Sequence, residues 1–328
     1  MQETITGLQI ELLHAYWQSK VQMGTAEVET VPWDLQGTLL SGLGLNILET
    51  SRCLSDQPSY EEFEAWILKQ NGGAIEEASL ERLRSALRGE AVGSAVGSLD
   101  GVEGLSDVDL AHWEEHGYVV LKDAVSAEDA EAAELAIYEY LGMDRDDPES
   151  WYAAKLGHTI WVPLLRHPAM VANRRSPRIT KAFSQLWGGE DLWPIVDQGG
   201  LNPPERENWK FPGPHLHWDT TLAPPHDFGV QGILYLADTA EDQGAFCCVT
   251  GFHKSLPDWL NALPANVDAR KEALRTLRAK PIAAKRGDLV LWHHLLPHSS
   301  SPNRGVRPRV VQYMTMRPTR WPHHAEWR

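Results

Sequence analysis

Apolar residues in the first ninety positions recur at helical spacing. Ile5, Leu8, Leu12, Leu13 and Tyr16 fall close to a 3.6-residue period, which predicts a helix over 2–20. Ser59 and Glu62 form a capping box ahead of Phe63, Trp66, Ile67 and Leu68, and Gly72-Gly73 supplies the stop. A short helix is predicted from Ser79, with Leu80, Leu83 and Leu87 on one face and an end near Gly89. From Glu90 to Gly104 the pattern lapses into small residues and glycines with no sustained apolar face, the composition of a flexible connection. The expected organisation is a helical N-terminal accessory region over 1–89, a Gly/Ser-rich linker over 90–104 and a main domain over 105–328.

The main domain opens with a helix from Ser106 to His116 that ends at Gly117, a strand from Tyr118 to Leu121, and a helix from about Ser126 to Leu141. The pattern then changes. Short apolar runs at Leu192 to Val196, Val230 to Leu236, Gly244 to Val249, Ala279 to Ala283, Asp288 to Trp292 and Arg309 to Met316 are separated by Gly, Pro and Asp. Such runs predict a β-sandwich or barrel with helices outside it.

A chain of 328 residues can bury a sizeable core. No run of about 18 to 20 apolar residues is present, and the N-terminus shows no basic region followed by an apolar core, so a cytoplasmic protein with no membrane partner is expected. The formal net charge of −15 disfavours nucleic acid and anionic lipid as partners. The segment from residue 197 onward is the least acidic, which tolerates an anionic co-substrate. Cys53, Cys247 and Cys248 cannot all pair, and neighbours 247 and 248 point to opposite faces of a strand, so reduced thiols are expected.

The chemistry concentrates in His217-Trp218-Asp219. In extended chain, residues i and i+2 share a face, so His217 and Asp219 can grip one ion together, and His298 arrives just beyond the apolar run that starts at Asp288. Two imidazoles and one carboxylate on one face of an octahedral ion leave three positions open, which suits Fe(II) that must bind both a co-substrate and O2. Arg309 shares strand phase with Val311 and Tyr313, and a planar guanidinium there can fork onto a carboxylate. Arg304 and Arg307 are its rivals, although Pro308 restricts Arg307 to extended geometry.

These residues resemble the phytanoyl-CoA dioxygenase family of Fe(II)/2-oxoglutarate oxygenases. The resemblance rests on His-x-Asp, the segment Gly244 to Ser255, the distal His298-Ser299-Ser300, an arginine eleven residues beyond that histidine, and His116 to Lys122 as the opening strand. In the Gly244 segment, Thr250 and Phe252 replace the proline and serine of the family's signature. The likeness covers roughly residues 105 to 320 and implies a mainly β domain with surrounding helices, a double-stranded β-helix or jelly roll. It implies Fe(II) as cofactor, with 2-oxoglutarate and O2 as co-substrates. Arg309 would take the distal carboxylate of 2-oxoglutarate with Ser300 in support, and Tyr235 falls where the family places an aromatic near that molecule. Lys155 and Gln198 precede the motif at places compatible with cofactor or substrate contact.

Related halogenases lack the carboxylate that Asp219 supplies, so the expected reaction is hydroxylation of a small-molecule substrate with release of succinate and CO2. Two alternatives stand beside it: a cupin-like metalloenzyme independent of 2-oxoglutarate, and a non-catalytic binding protein with a vestigial barrel. His112 and His116 stand four apart on a helix, but not in the His-Glu-x-x-His order, so a helix C-terminus is the expected setting. His215, His226, His253, His293-His294 and His323-His324 are expected to line pocket or surface. Residues 151–207 and 254–278 are expected to be irregular covers that set specificity. Trp218, between two ligands, is expected to face the other way and pack.

Overall fold

The computed structural model describes residues 8–21, 31–152 and 155–321. The start of the expected first helix and the His323-His324 pair lie outside them. Five helices come first: α1 (Glu11–Val21), α2 (Trp33–Gly42), α3 (Ile47–Ser55), α4 (Tyr60–Gln70) and α5 (Glu77–Leu87). The Ser59–Glu62 capping box forms as expected. The start of α5 differs from expectation, with Glu76 rather than Ser79 before it and no side-chain cap. A negative charge near the first turn suits the helix dipole without such a bond. Neither α2 nor α3 was anticipated. Gly37 and Thr38 lower helix propensity within α2, and only burial of Leu35, Leu39 and Leu40 carries it.

No helix or strand occurs over 90–105. The chain continues through α6 (Asp107–His116), β1 (Tyr118–Leu121), α7 (Ala127–Leu141), β2 (Trp161–Val162), α8 (Pro168–Arg174), α9 (Pro177–Trp187), β3 (Leu192–Pro194), β4 (Gly199–Asn202), β5 (Val230–Tyr235) and β6 (Phe246–Cys248). It ends with α10 (Phe252–Ala262), α11 (Ala269–Thr276), β7 (Lys280–Pro281), β8 (Leu289–His293), β9 (His298–Ser300), β10 (Arg309–Met314) and β11 (Met316–Pro318). The segments expected to be irregular covers therefore carry helices: α8 and α9 in the first, α10 and α11 in the second. Among the described residues no helix is long and apolar enough to cross a membrane.

Two compact units result. The larger, over 99–188 and 197–315, is an antiparallel sandwich. Its six-stranded sheet runs β1-β8-β5-β10-β4-β2, and its three-stranded sheet runs β7-β6-β9. Register decides what fills the space between them. Gln231 opposes Trp292, Ile233 opposes both Val290 and Tyr313, and Tyr235 opposes Val311, so these side chains share one face. That face meets Phe246, Cys248 and Ile282 of the smaller sheet in one buried cluster. This is the jelly-roll arrangement expected from the sequence. Strand β4 escaped prediction because it opens Gly199-Gly200. A Cβ on Gly199 would come within 2.7 Å of the Ile137 side chain, and one on Gly200 within 3.0 Å of Val311. The strand is bare where helix and neighbouring strand approach it.

The smaller unit gathers residues 1–98 with 189–196 and 316–323. The run at Leu192 to Val196 was expected in the sandwich, but β3 pairs with β11 in a separate two-stranded sheet. The apolar run from Arg309 is broken after Met314 for the same reason. Trp193 is buried in the helical core, with the Arg82 guanidinium 3.7 Å above its ring and its indole N–H donating to Thr319 Oγ1 at 2.9 Å. Trp193→Ala removes the packing, the cation–π contact and a buried hydrogen bond together. We expect it to cost about 3–5 kcal/mol in this unit, measured by guanidinium denaturation.

Candidate metal centre

His217 does not sit in an extended strand as expected. It forms a single antiparallel bridge with His298, each backbone N–H donating to the other's carbonyl at 2.9 Å. Opposed residues in such a bridge present their side chains to the same side. The rings accordingly lie 4.5 Å apart, and Asp219 reaches both: Oδ1 is 3.3 Å from His217 Nε2 and Oδ2 is 3.3 Å from His298 Nε2. One donor atom from each of the three lies within 4.8 Å of the others, the one such group found among the described residues. His298 begins β9 rather than trailing β8, and opposes the inward-facing Cys248.

Backbone carbonyls fix the tautomers. His217 Nδ1 donates to His215 O at 2.7 Å, and His298 Nδ1 donates to Leu296 O at 3.0 Å. Each Nε2 is left with its lone pair toward the cluster, as a metal ligand requires. Burial works against the charge on Asp219, but the adjacent His217 and His298 rings and the Gln231 amide outweigh it and hold the carboxyl well below the usual carboxylate range. Burial likewise lowers the pKa of His217, and the Asp219 carboxylate more than reverses this, leaving it raised. An ionised carboxylate between two neutral-capable imidazoles is a donor set that fits Fe(II).

Three supports were not anticipated, because each depends on tertiary approach. Gln231 Nε2 donates to Asp219 Oδ2 at 2.7 Å. Arg270, on α11, donates to Trp218 O at 2.9 Å and Thr220 O at 2.7 Å, bracketing Asp219 along the chain. The turn after β8 supplies the third: Leu295 O accepts from Trp218 Nε1 at 2.8 Å, and Leu296 O orients His298. Trp218 faces away from the cluster and packs with Phe252 and Trp259, as expected.

The remaining predicted residues divide. Arg309 is fully buried on the inward face of β10, and its Nη1 donates to Ser300 Oγ at 3.1 Å. Its Nε and Nη2 are buried without a hydrogen-bond partner among the described residues. An uncompensated buried guanidinium is costly. Rivals Arg304 and Arg307 are exposed, and Arg307 pairs with Asp146. The Tyr235 hydroxyl donates to Ile282 O at 3.2 Å and accepts from Phe246 N–H at 2.9 Å. This polar end of the side chain is used to brace the two sheets. Gln198 is half-buried beside β10, with its carbonyl accepting from Tyr313 N–H at 3.0 Å. Lys155 is exposed, with its ammonium over the Tyr140 ring and bonded to the Tyr140 carbonyl rather than placed with the cluster. His112 and His116 occupy the end of α6.

A sandwich that brings two histidines and one carboxylate together near a buried arginine defines the mononuclear non-haem iron oxygenase class. The phytanoyl-CoA dioxygenase profile matches residues 113–311, and the chain belongs to that family, whose members use Fe(II), 2-oxoglutarate and O2. A Dictyostelium discoideum protein provisionally named as a phytanoyl-CoA dioxygenase is 23% identical over 261 residues, 63% of this chain and 74% of that one. Among solved structures, HygX from Streptomyces hygroscopicus with nickel, 2-oxoglutarate and hygromycin B is 16% identical over 66% of this chain and 88% of its own, TM-score 0.48. The 2-oxoglutarate-dependent carbocyclase SnoK from nogalamycin biosynthesis is 17% identical over 70% and 87%, TM-score 0.47.

His293 generates a pH prediction. Its Nδ1 accepts from Leu295 N–H at 3.1 Å, which fixes the supporting turn, and burial with His294 and His253 nearby pushes its pKa down to about 3. The folded value lies below an unfolded value of about 6.5, so the folded state resists protonation. The corresponding stability is present above pH ~6.5 and is lost as pH falls toward 3. Urea denaturation at pH 7 and pH 4.5 should show this loss, smaller in His293→Asn, whose carbonyl oxygen can accept the same N–H. For Arg309, replacement by Ala should weaken 2-oxoglutarate binding by about 2–5 kcal/mol, read by calorimetry on the metal-loaded protein, and Lys should not restore it.

Proposed function

We propose that this protein is an Fe(II)/2-oxoglutarate-dependent dioxygenase that hydroxylates an unactivated C–H bond of a small-molecule substrate, releasing succinate and CO2. The observation that carries the reading is the link between the three-residue cluster and the unpaired guanidinium. Ser300 lies two residues beyond His298 on the same face of β9 and holds Arg309. Residues i and i+2 of a strand stand roughly 7 Å apart, a separation that a five-carbon dicarboxylate can span.

His217, Asp219 and His298 would hold the iron. Arg309, with Ser300, would take the distal carboxylate by a paired, charge-assisted contact. The bound iron supplies activation of O2 coupled to decarboxylation of the 2-oxo acid. The chain's own part is placement and dryness. Trp292, tilted, and Phe246, stacked, lie beside His298, with ring centroids 5.2 and 6.0 Å from it, and keep that side apolar. An intact Asp219 fills the position a halide would need, which favours hydroxylation over halogenation. The unpaired cysteines support a reducing, cytoplasmic setting.

The test is anaerobic addition of Fe(II) and 2-oxoglutarate, followed by O2 and candidate substrates, with succinate and product mass as readouts. The wild type should develop a weak visible charge-transfer band and form succinate, and a hydroxylated product gains one oxygen. Asp219→Ala should abolish both signals. Absence of the band in the wild type refutes the assignment, and a product two hydrogens lighter would replace hydroxylation by desaturation or ring closure.

A further inference from the structure

The two oxygens of Asp219 keep different company. Oδ1 faces His217 Nε2 at 3.3 Å, whereas Oδ2 lies 3.3 Å from His298 Nε2 and only 2.7 Å from Gln231 Nε2. Gln231 belongs to β5, opposes Trp292 and shares the inward face with Ile233 and Tyr235. Its amide orientation is fixed by chemistry, because the reverse would aim an amide oxygen at a carboxylate. The other end, Oε1, is buried without a hydrogen-bond partner among the described residues. The side chain therefore leaves one polar atom unsatisfied in order to place its N–H against one oxygen of Asp219.

We infer that Gln231 is a positioning residue that holds Asp219 to one-oxygen binding of the metal. This rests on the iron/2-oxoglutarate reading. On a six-coordinate ion with two imidazoles, a carboxylate bound through one oxygen leaves three positions, two for a chelating 2-oxo acid and one for O2. Bound through both oxygens, it leaves only two. An oxygen that already accepts a charge-assisted hydrogen bond is a poorer metal donor, so the 2.7 Å contact from Gln231 occupies Oδ2 and leaves Oδ1 for the ion. Arg270 fixes the backbone on either side of Asp219 through the Trp218 and Thr220 carbonyls.

The experiment compares wild type with Gln231→Met, which keeps the length and lacks the N–H, and Gln231→Asn, which keeps the amide one methylene short. Each is loaded anaerobically with Fe(II) and titrated with 2-oxoglutarate while the visible band is recorded, with thermal melting as the control for folding. In both variants the apparent affinity for 2-oxoglutarate should fall about tenfold or more and the band maximum should move. A general packing role would lower the melting temperature without displacing the band. Unchanged affinity and band position in a folded variant overturn the inference. If Met at this position prevents folding, the Asn variant alone decides. A wild type that gives no band refutes the iron/2-oxoglutarate reading itself, a different result from a wild-type band that the variants merely reproduce.

Discussion

The centre depends on a pair of backbone hydrogen bonds. His217 and His298, two and seventy-nine positions from Asp219, are brought face to face because each donates its N–H to the other's carbonyl at 2.9 Å. That bridge sets the ring separation, and Asp219 follows by extended-chain parity. It also couples the cluster to β9, whose next inward residue is Ser300, and through Ser300 to Arg309. Cluster and guanidinium are thus spaced by the pleat of a single short strand rather than by independent loops. A segment too brief to count as a strand accomplishes this because everything around it is pinned: Trp218 by Leu295, the carbonyls on either side of Asp219 by Arg270, and each imidazole by a carbonyl two residues before it.

What could be read from the sequence follows a physical division. Strands β1, β5, β8 and β10 are predominantly apolar runs, and such runs announce themselves. The three cluster residues were legible because their chemistry and their two-residue spacing coincide, and Arg309 because its strand phase could be counted. Strand β4 was hidden because close approach required glycine, the residue that ordinarily signals a turn. Gln231 and Arg270 were hidden for another reason. A glutamine in one strand and an arginine on a distant helix carry no local mark of the atom they contact, since that is decided by register and packing. The role of the Tyr235 hydroxyl was hidden in the same way, since it is used by the backbone of the facing segment.

The polar interior is economical in its exceptions. Most buried groups in the sandwich find partners, as expected of close-packed protein. Among the buried polar atoms without a partner, those on Arg309 and Gln231 belong to side chains that touch residues of the site. Their meanings differ. The guanidinium has donors in excess, which calls for an anion from outside. The glutamine has already spent its donor on a neighbour inside the protein, and the leftover acceptor is the residue of that choice.

The smaller unit has its own consequence for how the chain is made. Its helices α1–α5 come from the beginning of the sequence, but its buried Trp193 arrives almost two hundred residues into the chain, and β11 close to the end. On the ribosome, where chains emerge from the N-terminus onward, the first helices must therefore wait with an incomplete core while the whole sandwich is synthesised. Until β3 and β11 have followed, the apolar helix faces that pack around Trp193 stay uncovered.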